Sequence, residues 1–322
     1  MSDETTAPDV SVVIPCYNAE RWVGRAIDSV LAQEGVTVEV IVIDDGSTDG
    51  SVDVLRAYTG RIYWETGPNR GACAARNRGL AMSRADYVMF LDADDYLCRS
   101  AVQAVMRESR AGQDSDVLLC GHEVIYEGQR IGKSKHLDPS RIKTCNDLVA
   151  WLLTKGFIPP IGTIWRRRFL MNLGGWGSSQ RHQDAELLYR AIASEMSFQV
   201  IEVQLGVYFQ HSSNRISGDS SHRTIRSCLQ VFQSTDKRML QLADVPAWQQ
   251  YRSLWAYSLM RLAASAGDLN SYSRAKADWV RFGRKSRERR RLHRSLERLL
   301  GVYFMQRLKT SARILRQLKN YA

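Results

Sequence analysis

The sequence predicts an α/β fold with a doubly wound, mostly parallel sheet and a C-terminal α-helical extension. Short apolar runs alternate with amphipathic stretches over residues 10–120, which is the order of strands and helices in such a sheet. The apolar runs are continuous, as expected for strands that helices cover on both faces. From Thr224 onward, the apolar residues recur at helical spacing.

The boundaries of the predicted elements follow from the apolar runs and from the residues that interrupt them. We expect strands at 10–15, 38–43, 62–64, 87–91 and 117–120, separated by helices at 18–33, 51–58, 72–83 and 101–110. Asn18 is a favourable N-cap for the first of these helices. After a helix that opens near Gln183, we expect two further strands, at 200–203 and 207–211.

The strand at 87–91 runs directly into three acids, Asp92, Asp94 and Asp95. Carboxylates this close repel one another, and a divalent cation with oxygen ligands would relieve the repulsion. The carboxyl ends of strands are also where open α/β sheets bind ligands. The alternative is an Asp-rich turn that caps the helix starting near Ser100.

A second predicted strand, at 38–43, also ends in acids, Asp44 and Asp45. Turn chemistry explains one acidic strand end readily, but it explains two such ends in one sheet less well. The coincidence therefore favours a ligand site at the carboxyl edge of the sheet.

Charge divides the chain into two parts. Residues 222–322 hold 22 Lys and Arg against 6 Asp and Glu, whereas residues 1–221 hold 23 against 28. We therefore expect an α/β domain at 8–221 and a basic α-helical region at 222–322. In that region an apolar stripe from Leu292 to Leu318 follows a basic run, which is typical of a membrane-surface or partner-binding helix. The alternative is a helix docked within the protein, or forming a homo-oligomer, with a solvated basic face.

The cysteines and the N-terminus bear on the cellular location. The six cysteines are scattered without metal-ligand spacing, which fits reduced thiols better than disulfides or a zinc site. The acidic start has no apolar core after it, so we expect no signal peptide. We expect a cytoplasmic protein, and if the basic region is a membrane-surface helix, we expect it to bind peripherally at the inner face of the cell membrane.

Four motifs occur in order at suitable spacing, at residues 13–18, 42–49, 69–77 and 90–95. They read VIPCYN, VIDDGSTD, NRG with ARN, and FLDADD. Together they closely resemble the family 2 glycosyltransferases with the GT-A fold. The resemblance implies a GT-A domain at 8–221, with a nucleotide-sugar half at about 8–130 and an acceptor half at about 131–221.

The resemblance also implies a metal site. Asp92-Ala93-Asp94 looks like the DxD triplet of the family, in which Asp94 would ligate Mn²⁺ or Mg²⁺ bridging the donor diphosphate. Asp92 would hold the ribose or the waters of the metal, and Asp95 is a further candidate. Hard carboxylate oxygens suit these ions.

The nucleotide contacts implied by the resemblance lie on three loops. Asp45 would accept a hydrogen bond from the uracil ring, and Pro15 and Tyr17 would flank the base. Asn69 and Arg76 match positions near the nucleotide; the alternatives are a turn residue for Asn69 and a solvated helix face for Arg76. Asp44 could equally make the contact or cap the turn.

The acceptor side carries the implied catalytic base. A helix that opens with Glu-Asp is usual in the family, and its Asp is the general base. Asp184 matches that base, while Gln183 stands where Glu is usual, and Glu186 is a second candidate. The alternative for Asp184 is an acid favoured by the helix dipole.

The last candidates follow the final predicted strand. His211 could touch the diphosphate or the metal, or could simply be a hydrogen-bonded structural residue. Arg215 could clamp phosphate.

The implied function is a metal-dependent, inverting transfer of a sugar from a nucleotide-sugar, most simply a UDP-sugar, to an acceptor hydroxyl. Saccharide or lipid-linked acceptors, in cell-surface polysaccharide or glycolipid synthesis, are the usual context of the family. Two alternatives are a transferase using a GDP- or dTDP-sugar and a non-catalytic nucleotide-sugar-binding protein. Nucleic-acid binding is disfavoured, because no interleaved aromatic pattern accompanies the basic residues.

Overall fold

The computed structural model describes residues 7–110, 114–127, 129–130, 137–155, 158–177 and 183–211, and single positions 273 and 277. Within these ranges the strands are β1 Val10–Cys16, β2 Val38–Asp44, β3 Tyr63–Thr66, β4 Tyr87–Phe90, β5 Tyr96–Leu97, β6 Val117–Tyr126, β7 Gln129–Arg130, β8 Thr163–Arg166 and β9 Phe198–Gln210. The α-helices are α1 Val23–Leu31, α2 Ser51–Arg56, α3 Ala72–Met82, α4 Ala101–Arg110, α5 Cys145–Lys155, α6 Arg167–Asn172 and α7 Gln183–Ile192. The proposed basic region at 222–322 lies outside the described residues, except for those two positions.

The strands form one mixed sheet in the order β3-β2-β1-β4-β8-β6-β9-β5, with β7 paired to β6. The pairs among β3, β2, β1 and β4 are parallel, and so is the pair of β6 with β9. β8 runs antiparallel to both β4 and β6. The predicted doubly wound α/β fold is confirmed, and its purely parallel part is the half that begins the chain.

Helices cover both faces of this sheet, as the continuous apolar strands predict. One core packs α1 and α4 against residues such as Val12 and Ile14 of β1. The other core packs α3, α5 and α7 against the opposite side, through residues such as Val13 and Phe90. Alternate residues of β1 thus point into different cores, which is the side-chain period of a strand.

The predicted N-cap at Asn18 is wrong. Helix α1 begins at Val23, and Asn18 adopts a left-handed conformation with φ 48°. Its side-chain Oδ1 accepts a hydrogen bond from the backbone N–H of Thr48 at 2.8 Å, while its own N–H donates to the Ser47 hydroxyl. Asn18 therefore joins the loops after β1 and β2 instead of starting a helix.

The two strands predicted at 200–203 and 207–211 are a single strand, β9. Its register against β6 shifts on both sides of Gly121, so extra residues of β9 are absorbed without ending the pairing. A Cβ atom on Gly121 would lie 3.4 Å from the carbonyl oxygen of Val203. That is an ordinary van der Waals distance, so the irregularity does not require a glycine at this position.

A buried polar network closes the amino end of the sheet. The Glu39 carboxylate on β2 accepts hydrogen bonds from the Ser11 hydroxyl, from the backbone N–H of Arg84 at 2.6 Å and from the Arg84 side chain at 2.9 Å. The Ser11 hydroxyl in turn accepts a hydrogen bond from the Ala85 N–H at 3.0 Å. This network ties β1 and β2 to the turn before β4, at the end away from the acids.

Two further features concern the helices and the cysteines. None of the helices within the described residues is both long and apolar enough to cross a bilayer. The five described cysteines are free thiols, as the sequence predicts for that part of the chain.

Candidate active site

The carboxyl ends of the parallel strands meet at one edge of the sheet. Cys16 pairs in register with Asp44, and Asp44 pairs with Thr66, so β1, β2 and β3 end in one row. Val13 pairs with Phe90, which brings the acids after β4 to the same edge. The two acidic strand ends that the sequence predicts are therefore brought together.

Asp44 and Asp45 face different partners. The buried Asp44 carboxylate accepts a hydrogen bond from the Thr66 hydroxyl at 2.6 Å and lies 3.3 Å from the backbone nitrogen of Ser47. Asp45 accepts hydrogen bonds from the N–H groups of Arg70 at 2.7 Å and Gly71 at 2.8 Å. Asp44 thus caps its own turn, and Asp45 orders the loop that leads into α3.

That loop packs tightly on the turn after β2. Gly46 has φ 78°, and a Cβ atom there would lie 2.9 Å from the backbone nitrogen of Asn69. Asn69 itself is exposed, Pro15 is half-buried and the Tyr17 ring is 50% exposed. Of the candidate nucleotide contacts, Pro15, Tyr17 and Asn69 are therefore accessible at the carboxyl ends of β1 and β2, whereas Asp45 is buried beneath the loop that it orders.

The acids after β4 separate into one buried and two accessible groups. Asp95 is fully buried, and its carboxylate accepts a hydrogen bond from the Phe209 N–H of β9 at 2.8 Å. Its N–H donates to the carbonyl of Asp92 at 2.9 Å, which closes the turn. The side chains of Asp92 and Asp94 are 28% and 20% exposed. Asp95 anchors the turn, and the other two acids face the solvent-accessible edge.

Arg76 of α3 links this turn to α7. Its guanidinium donates hydrogen bonds of 2.6 Å to a carboxylate oxygen of Asp92 and of 2.6 Å to the side-chain oxygen of Gln183. It also lies over the Trp176 ring, 4.5 Å from the ring centroid. Arg76 is buried, so the interpretation of this residue as part of a solvated helix face is wrong.

The turn before α7 is held by Asn77, the neighbour of Arg76. The Asn77 amide accepts a hydrogen bond from the Trp176 N–H at 2.8 Å and donates to the Trp176 carbonyl at 2.9 Å. Gly175, with φ 67°, leaves the space that this side chain occupies, because a Cβ atom there would lie 2.4 Å from the amide oxygen. The Trp176 ring packs edge-on against Phe90 at 5.0 Å. The Gly-Gly-Trp turn is thereby fixed against β4.

Asp184 follows Gln183 in the first turn of α7 and is partly buried. The pKa of Asp184 is raised to about 6, because burial and, to a lesser extent, the nearby Asp92 outweigh the opposing Ala185 N–H and Arg76 guanidinium. A carboxylate with this pKa is suited to accept a proton near neutral pH.

Glu186, the second candidate base, is engaged elsewhere. Arg190 donates hydrogen bonds to both of its carboxylate oxygens, at 3.0 and 2.8 Å. Arg190 also donates to the Leu173 carbonyl at 2.7 Å. This ion pair fixes α7 to the preceding turn, and it engages both carboxylate oxygens of Glu186.

His211 meets Asp94 at the end of β9. Nε2 of His211 lies 3.1 Å from Oδ2 of Asp94, and its ring stacks on Trp22 with centroids 5.0 Å apart and an interplanar angle of 22°. The sequence analysis proposed neither Trp22 nor Arg25 as a site residue, and the Arg25 side chain donates to the Asp94 carbonyl at 2.7 Å. The available signal was a cation three residues after a tryptophan on an otherwise apolar face. Arg215 lies outside the described residues.

The residues at this edge fit a divalent cation. Within the ranges that the structure describes, no three His, Cys, Asp or Glu side chains form a complete cage for a metal. A cation shared with a diphosphate needs only one or two protein carboxylates, since phosphate oxygens and waters complete its shell. The accessible carboxylate of Asp94, with Asp92 and His211 beside it, supplies such a donor set.

Sequence relatives share part of this chain. The family model for "Glycosyl transferase family 2" matches residues 11–174. An uncharacterized glycosyltransferase, EpsJ, of Bacillus subtilis is 30% identical over 162 residues, which cover 49% of this chain and 47% of that protein. The chondroitin synthase of Pasteurella multocida is 36% identical over 104 residues, which cover 31% of this chain and 11% of that protein. The matches thus span about half or less of the length of these relatives.

Solved structures share the fold over more of the chain. TarS 1-349 of S. aureus in complex with UDP-GlcNAc has a TM-score of 0.59 and 16% identity, over 85% of this chain and 92% of that chain. A mannosyltransferase from Pyrobaculum calidifontis in complex with GDP-Man and Mn²⁺ has a TM-score of 0.52 and 18% identity, over 95% and 84% of the two chains.

The mixed α/β sheet, with its acidic carboxyl edge, has the GT-A fold of these solved structures. The chain belongs to glycosyltransferase family 2.

Proposed function

We propose that this chain is an inverting glycosyltransferase that moves a sugar from a UDP-sugar to an acceptor hydroxyl, with Asp184 as the general base. One observation carries the proposal. Arg76 bridges Asp92, at the carboxyl end of the sheet, and Gln183, at the start of the helix that bears Asp184. The donor-side acids and a basic carboxylate therefore border the same site.

The donor would bind across the surface above β1 and β2. Pro15 and Tyr17 would flank the base, Asp45 would accept its ring N–H, and Asn69 would lie at the rim. Each carboxylate oxygen of Asp45 uses one lone pair for a loop N–H, so a further lone pair is available on each. The complex of TarS with UDP-GlcNAc supports a UDP-sugar as the first donor to test.

A divalent cation would be held by Asp94, with His211 and Asp92 beside it. When bound, Mn²⁺ or Mg²⁺ supplies Lewis-acid stabilisation of the charge that grows on a leaving diphosphate. Asp92 would also contact the ribose, while Arg76 keeps its carboxylate oriented through the 2.6 Å hydrogen bond.

Asp184 would take the proton from the acceptor hydroxyl as the oxygen attacks the anomeric carbon. Attack comes from the face opposite the nucleotide, so the configuration inverts, as in inverting glycoside hydrolysis. The carbon–oxygen bond to the diphosphate breaks as the new glycosidic bond forms, and the proton ends on Asp184. A base of this kind contributes about 10²–10⁴-fold to the rate.

The biological context that we propose is the synthesis of a cell-surface polysaccharide or glycolipid. The chondroitin synthase among the relatives supports a saccharide acceptor. A lipid-linked acceptor would agree with a basic C-terminal region that approaches anionic membrane at the cytoplasmic face.

The test is a panel of UDP-, GDP- and dTDP-sugars with Mn²⁺, Mg²⁺ or excess chelator. We expect metal-dependent binding and slow release of UDP from a UDP-sugar even without acceptor, and loss of that release in Asp184→Asn. Release from GDP- or dTDP-sugars alone would change the donor class. Binding without turnover, with any acceptor saccharide, would instead indicate a non-catalytic nucleotide-sugar-binding protein.

A further inference from the structure

Helix α1 contacts two distant segments of the candidate cation site. Asp94 lies in the turn after β4 and His211 at the end of β9, so 117 residues separate them in the chain. Arg25 of α1 binds the first segment, and Trp22, directly before α1, binds the second. One turn of one helix therefore meets both groups.

The Arg25 guanidinium is enclosed by aromatic rings. It lies 4.3 Å from the ring centroid of Tyr96, 4.3 Å from that of Phe209 and 5.5 Å from that of Trp22. Burial lowers the pKa of Arg25, and the nearby Tyr96, Asp95 and Asp94 oppose the change. A planar guanidinium stacks on rings and donates at its edge at the same time, which an ammonium group does not do.

The edge of that guanidinium donates to the backbone of the acidic turn. Nη2 of Arg25 lies 2.7 Å from the carbonyl oxygen of Asp94. Placing a cation among apolar rings is costly unless its hydrogen bonds are made. An apolar side chain would fill the same space without that cost, so packing alone does not account for an arginine here.

Trp22 fixes the other group. Its ring stacks on the His211 imidazole and also packs against Phe209, 5.2 Å away. The imidazole is thereby held between a ring face and the Asp94 carboxylate, with its Nε2 toward that carboxylate. Moving the tryptophan would free the imidazole to rotate away from Asp94.

We propose that Trp22 and Arg25 are positioning residues that hold His211 and Asp94 at the separation needed to share one divalent cation with the donor diphosphate. This inference rests on the proposed function, and it assigns no contact with substrate to either residue. Residues that orient metal ligands typically change metal affinity without binding the metal themselves.

The test uses the full chain with Arg25→Lys and Trp22→Leu. Arg166→Lys is a matched control, because Arg166 lies over the Tyr87 ring at 5.1 Å and donates to the Tyr87 hydroxyl at 2.9 Å, at the opposite end of β4. Trp64→Leu on β3 is the control for the tryptophan. Mn²⁺ affinity in the presence of UDP is measured by electron paramagnetic resonance, and thermal unfolding is measured without metal.

We expect both α1 variants to weaken Mn²⁺ binding about 10-fold or more, with the controls unchanged. In steady-state kinetics the donor KM should rise more than kcat falls. If the α1 variants bind Mn²⁺ like the wild type and differ from it only in a lower unfolding temperature, the inference is wrong.

A second readout separates this inference from the proposed function. The chain has six histidines, and ¹³C-labelled His211 can be assigned by its loss in His211→Gln. Arg25→Lys retains Trp22, so a shifted or broadened His211 signal in the metal-free protein would show that Arg25 positions the imidazole. If the wild type binds no Mn²⁺ with UDP, the proposed function fails, and this signal alone decides the positioning role. An unmoved signal then overturns it.

Discussion

Nη1 of Arg76 lies 2.6 Å from the side-chain oxygen of Gln183, although 107 residues separate them in the chain. The same guanidinium binds Asp92. A neutral amide at 183 leaves Asp92 as the only carboxylate within hydrogen-bonding distance of Arg76 among the described residues. Arg76 is thus shared between the donor-side turn and the helix of the proposed base.

The first prediction concerns this bridge. Arg76→Lys should lower kcat/KM on the order of 10²-fold, since a lysine lacks the planar fork that reaches both partners and small misplacements at a reacting centre are costly. Steady-state kinetics with the donor would check it. Arg78→Lys is the control, because Arg78 lies on the same helix and pairs with Glu65 at the surface. Equal losses in both variants would contradict the bridging role.

The second prediction concerns the cation. Asp94→Asn should abolish the dependence of UDP binding on Mn²⁺ together with transfer activity, because it removes the negative charge that a hard cation prefers. Isothermal titration with Mn²⁺ and with excess chelator measures both states. Asp53→Asn, on the exposed surface of α2, should behave like the wild type. UDP affinity that is unaffected by chelator in the wild type would rule out a metal-bridged diphosphate.

The third prediction concerns the base. Asp184→Asn should lower kcat by about 10²–10⁴-fold while leaving UDP affinity nearly intact. Burial raises the pKa of Asp184 to about 6. The group is therefore ionised, and able to accept a proton, only when the pH is above about 6. The wild-type kcat should therefore rise with pH through about 6 and then level off. An equal loss of UDP binding in the variant would place Asp184 in the donor site.

The same raised pKa has a consequence for stability. A carboxyl group whose folded-state pKa lies above its unfolded value of 3.8 favours the folded state at low pH and loses that contribution as pH rises through about 6. Asp184→Asn should therefore raise the unfolding temperature relative to the wild type at pH 8, and less so at pH 5. Calorimetry at the two pH values decides it; a lower unfolding temperature at pH 8 would argue against burial as the cause.

The fourth prediction concerns the amino end of the sheet. Burial opposes the ionisation of Glu39, but hydrogen bonds from Ser11 and Arg84 outweigh it and lower the pKa of Glu39. The resulting stability is present at neutral pH and is lost as pH falls below the unfolded value of 4.5 toward the lowered folded one. Glu39→Gln should cost roughly 2 kcal/mol of unfolding free energy at pH 7, measured in urea. UDP binding, at the other end of the strands, should not change.

The fifth prediction concerns the basic region at 222–322. The full chain should co-sediment with anionic vesicles at low salt and dissociate as salt rises, because each Lys or Arg near the headgroups contributes about 1 kcal/mol and salt screens it. Replacing Arg289, Arg290 and Arg291 with Gln should weaken binding, while metal-dependent UDP binding persists. Vesicles of neutral lipid are the control. If the full chain does not co-sediment with anionic vesicles at low salt, the region is instead an intramolecular or oligomer-forming element.

Local sequence patterns predicted the strands of the first half well. The runs ending at Asp44 and Asp92 are buried on both faces, so their apolar residues are continuous and their ends are marked by charge. The parallel order of β1, β2 and β4 then places both acidic ends together. These parts of the site follow from short-range chemistry and one topological rule.

Other parts depend on contacts that local patterns do not carry. Asn18 is a residue type that favours N-caps, yet its side chain accepts a hydrogen bond from the Thr48 N–H in a separate loop. The sequence around Arg76 is that of an exposed helical arginine, and only the fold shows that the turn at Trp176 covers it. Arg25 likewise becomes informative only once Phe209, from the last described strand, packs on it. Each of these is a contact between residues that lie far apart in the sequence.

The position of β8 constrains how the protein can be made. β8 separates β4 from β6, but its residues, Thr163–Arg166, are synthesised after both of them. A nascent chain that ends near residue 130 therefore presents one open edge of β4, and open edges recruit other chains. We therefore expect a fragment that ends near residue 130 to leave this edge of β4 uncovered, and a junction for exchanging segments between relatives to be better placed after β8.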